Sequence, residues 1–135
     1  NKSTTLQTHV EKSGYQETMG GSVIRYDLYH IQNKSLVPLE NFYLHESLPA
    51  DAAYITRLFT GTFNQNLNYT IYYKTNKTGS FKALQDNLFT NKVYEIDCTK
   101  GLMAGEYITD IKYEFGTVDV GFCEVERPFI YCKTY

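Results

Sequence analysis

The chain has no tryptophan and only three cysteines, three histidines and three prolines among its 135 residues. Each scarcity excludes something. Cys98, Cys123 and Cys132 show no CxxC spacing, and His9, His30 and His45 are scattered, so a zinc site is not expected. The cysteines admit one disulfide plus a thiol in an extracellular setting, or three reduced, partly buried thiols; the second is the expectation. No Pro/Ser/Gly-rich stretch divides the chain, and no internal repeat is present. No run approaches the roughly 18 apolar residues of a membrane span, so this segment is not expected to insert into a membrane. The opening Asn1-Lys2-Ser3-Thr4-Thr5 is polar and offers neither a signal peptide nor an initiator Met. The chain therefore reads as a piece excised from something longer, with its first five residues a loose terminus or linker tail. Basic residues never form a run and the net charge is −2, which removes the electrostatic footprint of nucleic-acid binding.

Catalytic and metal motifs are missing too. No GxSxG elbow and no DxDxDG loop occurs, and no cysteine has a nearby histidine. Asp86-Asn87 and Asp97 are the loop acids a calcium site would draw on, and they do not form a motif. Neither an enzymatic activity nor a cofactor is expected.

What the chain does have is aromatic residues and alternation. It carries 13 Tyr and 8 Phe, and 42% of its residues are hydrophobic, enough for the core of one domain over 1–135. In Leu67-Asn68-Tyr69-Thr70-Ile71-Tyr72-Tyr73-Lys74 the odd positions are apolar. In Tyr107-Ile108-Thr109-Asp110-Ile111-Lys112-Tyr113-Glu114-Phe115, residues Tyr107, Ile111, Tyr113 and Phe115 share one face, and Asp110, Lys112 and Glu114 the other. A third strand is expected over 22–31, with Ile24, Tyr26 and Leu28 facing inward. Others are expected over 6–11, 39–46, 53–60, 93–97, 117–122 and 128–133, separated by Gly- and Asn-rich turns. Single helical turns are expected near 82–87 and 102–105. The pattern predicts an all-β, immunoglobulin-like antiparallel β-sandwich of about eight or nine strands.

Alternation also locates candidate site residues. His45-Glu46 sits at the end of an aromatic run, before Leu48-Pro49. Adjacent strand residues face opposite ways, so the two do not share a ligand. Glu46 is expected to face the core and anchor the following turn, and Pro49 to end the strand. Tyr72 and Tyr73 are neighbours, so one of them points outward, and the same alternation sends Tyr29 and Tyr43 outward. Tyr29, Tyr43 and Tyr72 are thus the candidate binding face, suited to sugars or to a partner's apolar patch. Asn-x-Ser/Thr occurs at Asn1, Asn33, Asn68 and Asn76; these would be glycan acceptors in a eukaryotic secreted protein, and in an Asn/Thr-rich bacterial surface protein they reflect composition, which is the expectation.

Val10-Glu11-Lys12-Ser13-Gly14 and then Gly20-Gly21-Ser22-Val23-Ile24-Arg25-Tyr26, an Asn turn at Gln32-Asn33-Lys34-Ser35, and Glu46-Ser47-Leu48-Pro49 follow one another in an order that resembles a conserved repeat domain of Gram-positive bacterial cell-surface proteins. Val37-Pro38-Leu39-Glu40-Asn41-Phe42-Tyr43, Thr60-Gly61-Thr62-Phe63-Asn64, Tyr73-Lys74-Thr75-Asn76 and Phe115-Gly116-Thr117-Val118 extend the resemblance along most of the chain. Glu46 stands where Asp is more usual, and Leu44 where a subgroup often has Trp. The resemblance implies an Ig-like module of unassigned biochemical function, extracellular and wall- or surface-associated. Its partners would be neighbouring domains of the same chain. It implies a structural spacer or adhesin part; the alternative is a module that binds a carbohydrate or a host protein. Modules of related architecture can carry a Lys–Asn crosslink, for which Lys12 and Glu46 are placed. The last strand, however, offers no Asn, so a crosslink to it is not expected.

Overall fold

A computed structural model describes residues 8–11, 22–49 and 52–135. Among them every regular element is a strand. In chain order these are β1 (Thr8–Glu11), β2 (Val23–Asp27), β3 (Tyr29–Ile31), β4 (Leu39–Ser47), β5 (Ala53–Phe59) and β6 (Thr62–Phe63). Then come β7 (Asn68–Thr75), β8 (Lys82–Phe89), β9 (Glu95–Asp97), β10 (Ile108–Val118), β11 (Glu124–Glu126) and β12 (Phe129–Thr134). All pairings are antiparallel. The fold class is all-β, as the alternation predicts.

The main sheet has eight strands, in the order β2-β12-β5-β10-β7-β8, with β4 also on β10 and β9 also on β5. It divides at one joint. β5 and β10 touch through the single pair Ile108↔Ile55, after which β10 turns away to pair with β4. A register shift between Ile108 and Asp110 and the bond from Leu48 N–H to the Thr109 carbonyl (2.9 Å) mark the corner. β4, β10, β7 and β8 form one layer, and β2, β12, β5 and β9 the other. Their inner faces meet in one core.

Alternation decides what fills that core. Phe42, Leu44, Tyr69, Ile71, Ile111, Tyr113 and Phe115 come from the first layer, and Ile24, Ile55, Leu58, Ile96, Ile130 and Cys132 from the second; all are buried. Phenylalanine and tyrosine do the work of the missing tryptophan. Phe63 stacks on Phe122 (5.3 Å, 7°), Phe115 meets both edge-on, and Tyr69 stacks on Tyr113 (5.6 Å, 7°). The Tyr113 hydroxyl donates to the Thr60 carbonyl at the end of β5 (3.2 Å) and so ties one layer to the other. The Tyr69 hydroxyl is also buried but has no hydrogen-bond partner.

Two further sheets, β1-β3 and β6-β11, have two strands each. They explain part of the difference between the expected eight or nine strands and the twelve observed. The predicted strand over 22–31 breaks at Leu28, whose N–H donates to the Pro128 carbonyl (2.9 Å). The chain then leaves β12 for β1. β6 and β11 are too short to show a period in the sequence. Two helical expectations fail. Residues 82–87 lie in β8, where pairing to β7 overrides local propensity. Residues 102–105 form a turn closed by Glu106 N–H on the Met103 carbonyl (3.0 Å), with Gly105 at φ 76. The expected strand over 117–122 is instead the end of β10 and a turn, with Phe122 N–H on the Asp119 carbonyl (3.2 Å) and Gly121 at φ 84. Among the described residues no helix is long and apolar enough to cross a membrane.

Candidate functional site

The outward face of β4-β10-β7 is organised by Lys112. It lies opposite His45 on β4 and opposite Tyr72 on β7. Glu114 lies opposite Tyr43 and Thr70, and Asp110 opposite Ser47 and Lys74. Cross-strand partners share a face, so all these side chains lie on one side of the sheet, with Asp110 itself buried there. The Lys112 ammonium is 3.0 Å from the Glu114 carboxylate, 4.6 Å from the centre of the Tyr43 ring and 5.2 Å from that of Phe81. Lys74 approaches Phe81 at 5.1 Å, and the His45 ring meets it edge-on at 5.4 Å. Rings and cations alternate across the surface.

The expected separation of His45 from Glu46 is observed: His45 is exposed and Glu46 is buried (5%). The strand ends as expected, with Ala52 N–H on the Pro49 carbonyl at 3.0 Å. His45 nevertheless has a carboxylate partner. Its Nε2 is 2.8 Å from Asp110 Oδ2, and the Thr109 hydroxyl donates to Asp110 Oδ1 at 2.7 Å. Burial alone would raise the Asp110 carboxyl. Hydrogen bonds from Thr109, His45 and Ser47 outweigh it and hold the group below its ordinary value. The sequence places Asp110 on a polar face but not beside His45, because the pairing depends on the β4–β10 register.

Beside Lys112 lies a depression of about 380 Å³, lined by Asn41, Phe42, Tyr43, Lys112, Glu114 and Gly116. The backbone is bent to form it. The β4–β10 register shifts on both sides of Gly116, Gly116 has φ 80, and Asn41 on the facing strand has φ 57. Asn tolerates the left-handed region better than most residues, but still at some cost.

Of the residues expected to form a binding face, Tyr43 and Tyr72 do share this surface, on either side of β10. Tyr73 packs toward the core instead. Tyr29 belongs to β3, in the separate β1-β3 sheet, so the three tyrosines do not form one strip. The side chains of Tyr29, His9 and His30 lie outside the described residues, as does Lys12.

Sequence reasoning missed a second aromatic surface, on the outer face of β2-β12-β5. The Arg25 guanidinium sits 3.8 Å from the Phe129 ring centre, Phe129 stacks on Phe59 (4.5 Å, 14°), and Arg57 lies over Phe59 and Tyr131. Each arginine also has a carboxylate, Asp27 for Arg25 (2.7 Å) and Glu95 for Arg57. The sequence signal was the alternation in β2, β5 and β12, but their register was not visible.

The remaining candidates have structural occupations. Asn33 is 3% exposed; its amide donates to the Val37 and Asp119 carbonyls (3.1 Å each) and its oxygen accepts from Ser35. Asn76 bridges Gly105 and Tyr107, and Asn68 donates to Asn87. The Asp97 carboxylate accepts from the hydroxyl and backbone N–H of Thr99, which hold it below its ordinary value. Cys98 and Cys123 are free thiols, and burial pushes Cys98 up to about 12. Among the described residues no three His, Cys, Asp or Glu side chains converge as metal ligands. Comparison of the chain with known protein families, with curated proteins and with solved structures finds no match.

Proposed function

We propose that this chain is a non-catalytic structural spacer or adhesin-type module of a bacterial cell-surface protein, an immunoglobulin-like sandwich with a rigid core and one sheet face open to a partner. The order of motifs along the sequence supports the cell-surface setting. The observation that carries the module reading is the contrast between inside and outside. Two layers close on one continuous aromatic core, while Tyr43, Tyr72, Phe81, Lys74 and Lys112 gather on an outward face. A core of this kind gives the spacer stiffness; rings among charges are what a recognition surface needs. The layers β4-β10-β7-β8 and β2-β12-β5-β9 support the immunoglobulin-like reading.

Antibodies raised against the folded domain test the setting. They are expected to label intact cells of the native organism. Labelling that requires permeabilisation would overturn the surface assignment.

The ring-and-charge face favours one second reading, that the module binds a ligand itself rather than only holding other domains apart.

A further inference from the structure

We infer that the depression between β4 and β10 is a saccharide site. It would take a single pyranose unit through Asn41, Lys112 and Glu114, with the Tyr43 ring as its apolar wall. The inference rests on the reading of this face as the module's recognition surface.

Three observations converge on the site. The first is shape. About 380 Å³ is within the usual range for small-ligand pockets, and Gly116 leaves its rim open, since a Cβ there would meet nothing within 4 Å. The second is chemistry. A pyranose presents adjacent hydroxyls, each both donor and acceptor, around a weakly apolar ring. Glu114 offers two acceptor oxygens, Lys112 up to three donors, and Asn41 one of each kind. Lys112 and Glu114 already lie 3.0 Å apart, so vicinal hydroxyls can bridge them without bringing the charges together first. The third is backbone. Both strands depart from regular pairing at this place, and the departure on β4 falls on Asn41, a non-glycine residue at φ 57. Regular pairing would remove the bulge that sets Asn41 in the lining of the depression.

The paired charges also narrow the ligand. Lys112 is neutralised by Glu114, and the nearby His45 is engaged by Asp110. The site therefore suits a neutral sugar, recognised by hydroxyl geometry, over a sulfated or phosphorylated one.

The test is a titration of the isotope-labelled domain with neutral monosaccharides and short oligosaccharides, followed by backbone amide shifts. Shifts are expected at residues 41–43 and 112–116. Glu114→Gln should weaken binding at least tenfold. Asn41→Gly should weaken it severalfold while leaving the melting temperature equal or higher, because glycine adopts this φ without strain. Tyr72→Ala, outside the depression, should change it little.

Binding that Glu114→Gln and Asn41→Gly leave unchanged would overturn the site. So would shifts confined to the Arg25–Phe129–Phe59 surface, although the module would then still recognise a sugar. If no neutral saccharide shifts any amide, the site falls, while cell labelling by antibody still decides the surface role separately.

Discussion

Tyr69 and Tyr113 stack in the centre of the core and differ in one atom's circumstances. Both rings are buried, 2% and 0% exposed, and both hydroxyls are shut off from water. Tyr113 spends its proton on the Thr60 carbonyl, whereas Tyr69 has no partner. Replacing each by Phe removes one oxygen and leaves the stack in place, so the pair isolates the hydroxyl. For Tyr113→Phe the loss is a net hydrogen bond plus a carbonyl left unpaired in a dry interior, together about 1–2 kcal/mol of stability. For Tyr69→Phe the change removes a buried hydroxyl that makes no full hydrogen bond, only an approach to the Thr60 side chain, worth up to about 1 kcal/mol in the opposite direction. Urea unfolding at pH 7, with the slope held common, should thus move the midpoint down for Tyr113→Phe and up for Tyr69→Phe. Equal destabilisation by both substitutions would refute the reasoning, since it would mean that ring packing and not hydroxyl pairing controls the response.

Three other outcomes are expected. Burial raises the Tyr69 hydroxyl from its ordinary 10.0 to about 12, so the folded state resists its ionisation. That stability is present below pH 10 and lost as the pH rises from 10 toward 12; Tyr69→Phe should make this alkaline decline shallower in a pH series of unfolding curves, leaving the part due to Tyr113, which burial also raises. Asp110 is held below its ordinary value of 3.8, so its contribution is present above that pH and disappears as the pH falls through the lower folded value. Asp110→Asn should cost about 1 kcal/mol at pH 7 by thermal or chemical unfolding and almost nothing in acid. Gly61→Ala should destabilise by more than roughly 2 kcal/mol, since the new Cβ would lie 2.4 Å from the Glu126 carbonyl at a φ of 74. Gly116→Ala meets open space and should cost only about 1 kcal/mol, from its φ of 80 alone.

The parts of this molecule legible in the sequence are those that depend on period. Alternation locates β7 and the body of β10, sends Ile111, Tyr113 and Phe115 inward, and parts His45 from Glu46. It also sends Tyr43 and Tyr72 outward. What alternation lacks is register. Whether Asp110 or Glu114 stands beside His45 depends on how β4 slides against β10, and no local signal encodes that. The aromatic surface of Arg25, Phe129 and Phe59 was hidden for the same reason, because its members come from three strands remote in sequence. Local readings failed where a tertiary partner overrode them. Residues 82–87 can form a helical turn by propensity, yet β7 draws them into a strand. The depression at Asn41 and Gly116 was out of reach, since a bulge breaks the very period that reveals strands.

The position of β12 has a consequence for how the chain folds. It is the latest strand in chain order, yet it lies between β2 and β5 and joins them. Until it is synthesised, β2 has no neighbour in the main sheet, and the second layer cannot form by adding strands in sequence. Closure must wait for a segment more than a hundred residues downstream of β2, and the loop entropy is spent before most of the core is buried. Folding should therefore be slow, late and concerted. In the interval the bare edges of β2 and β5 are the segments a chaperone would need to shield.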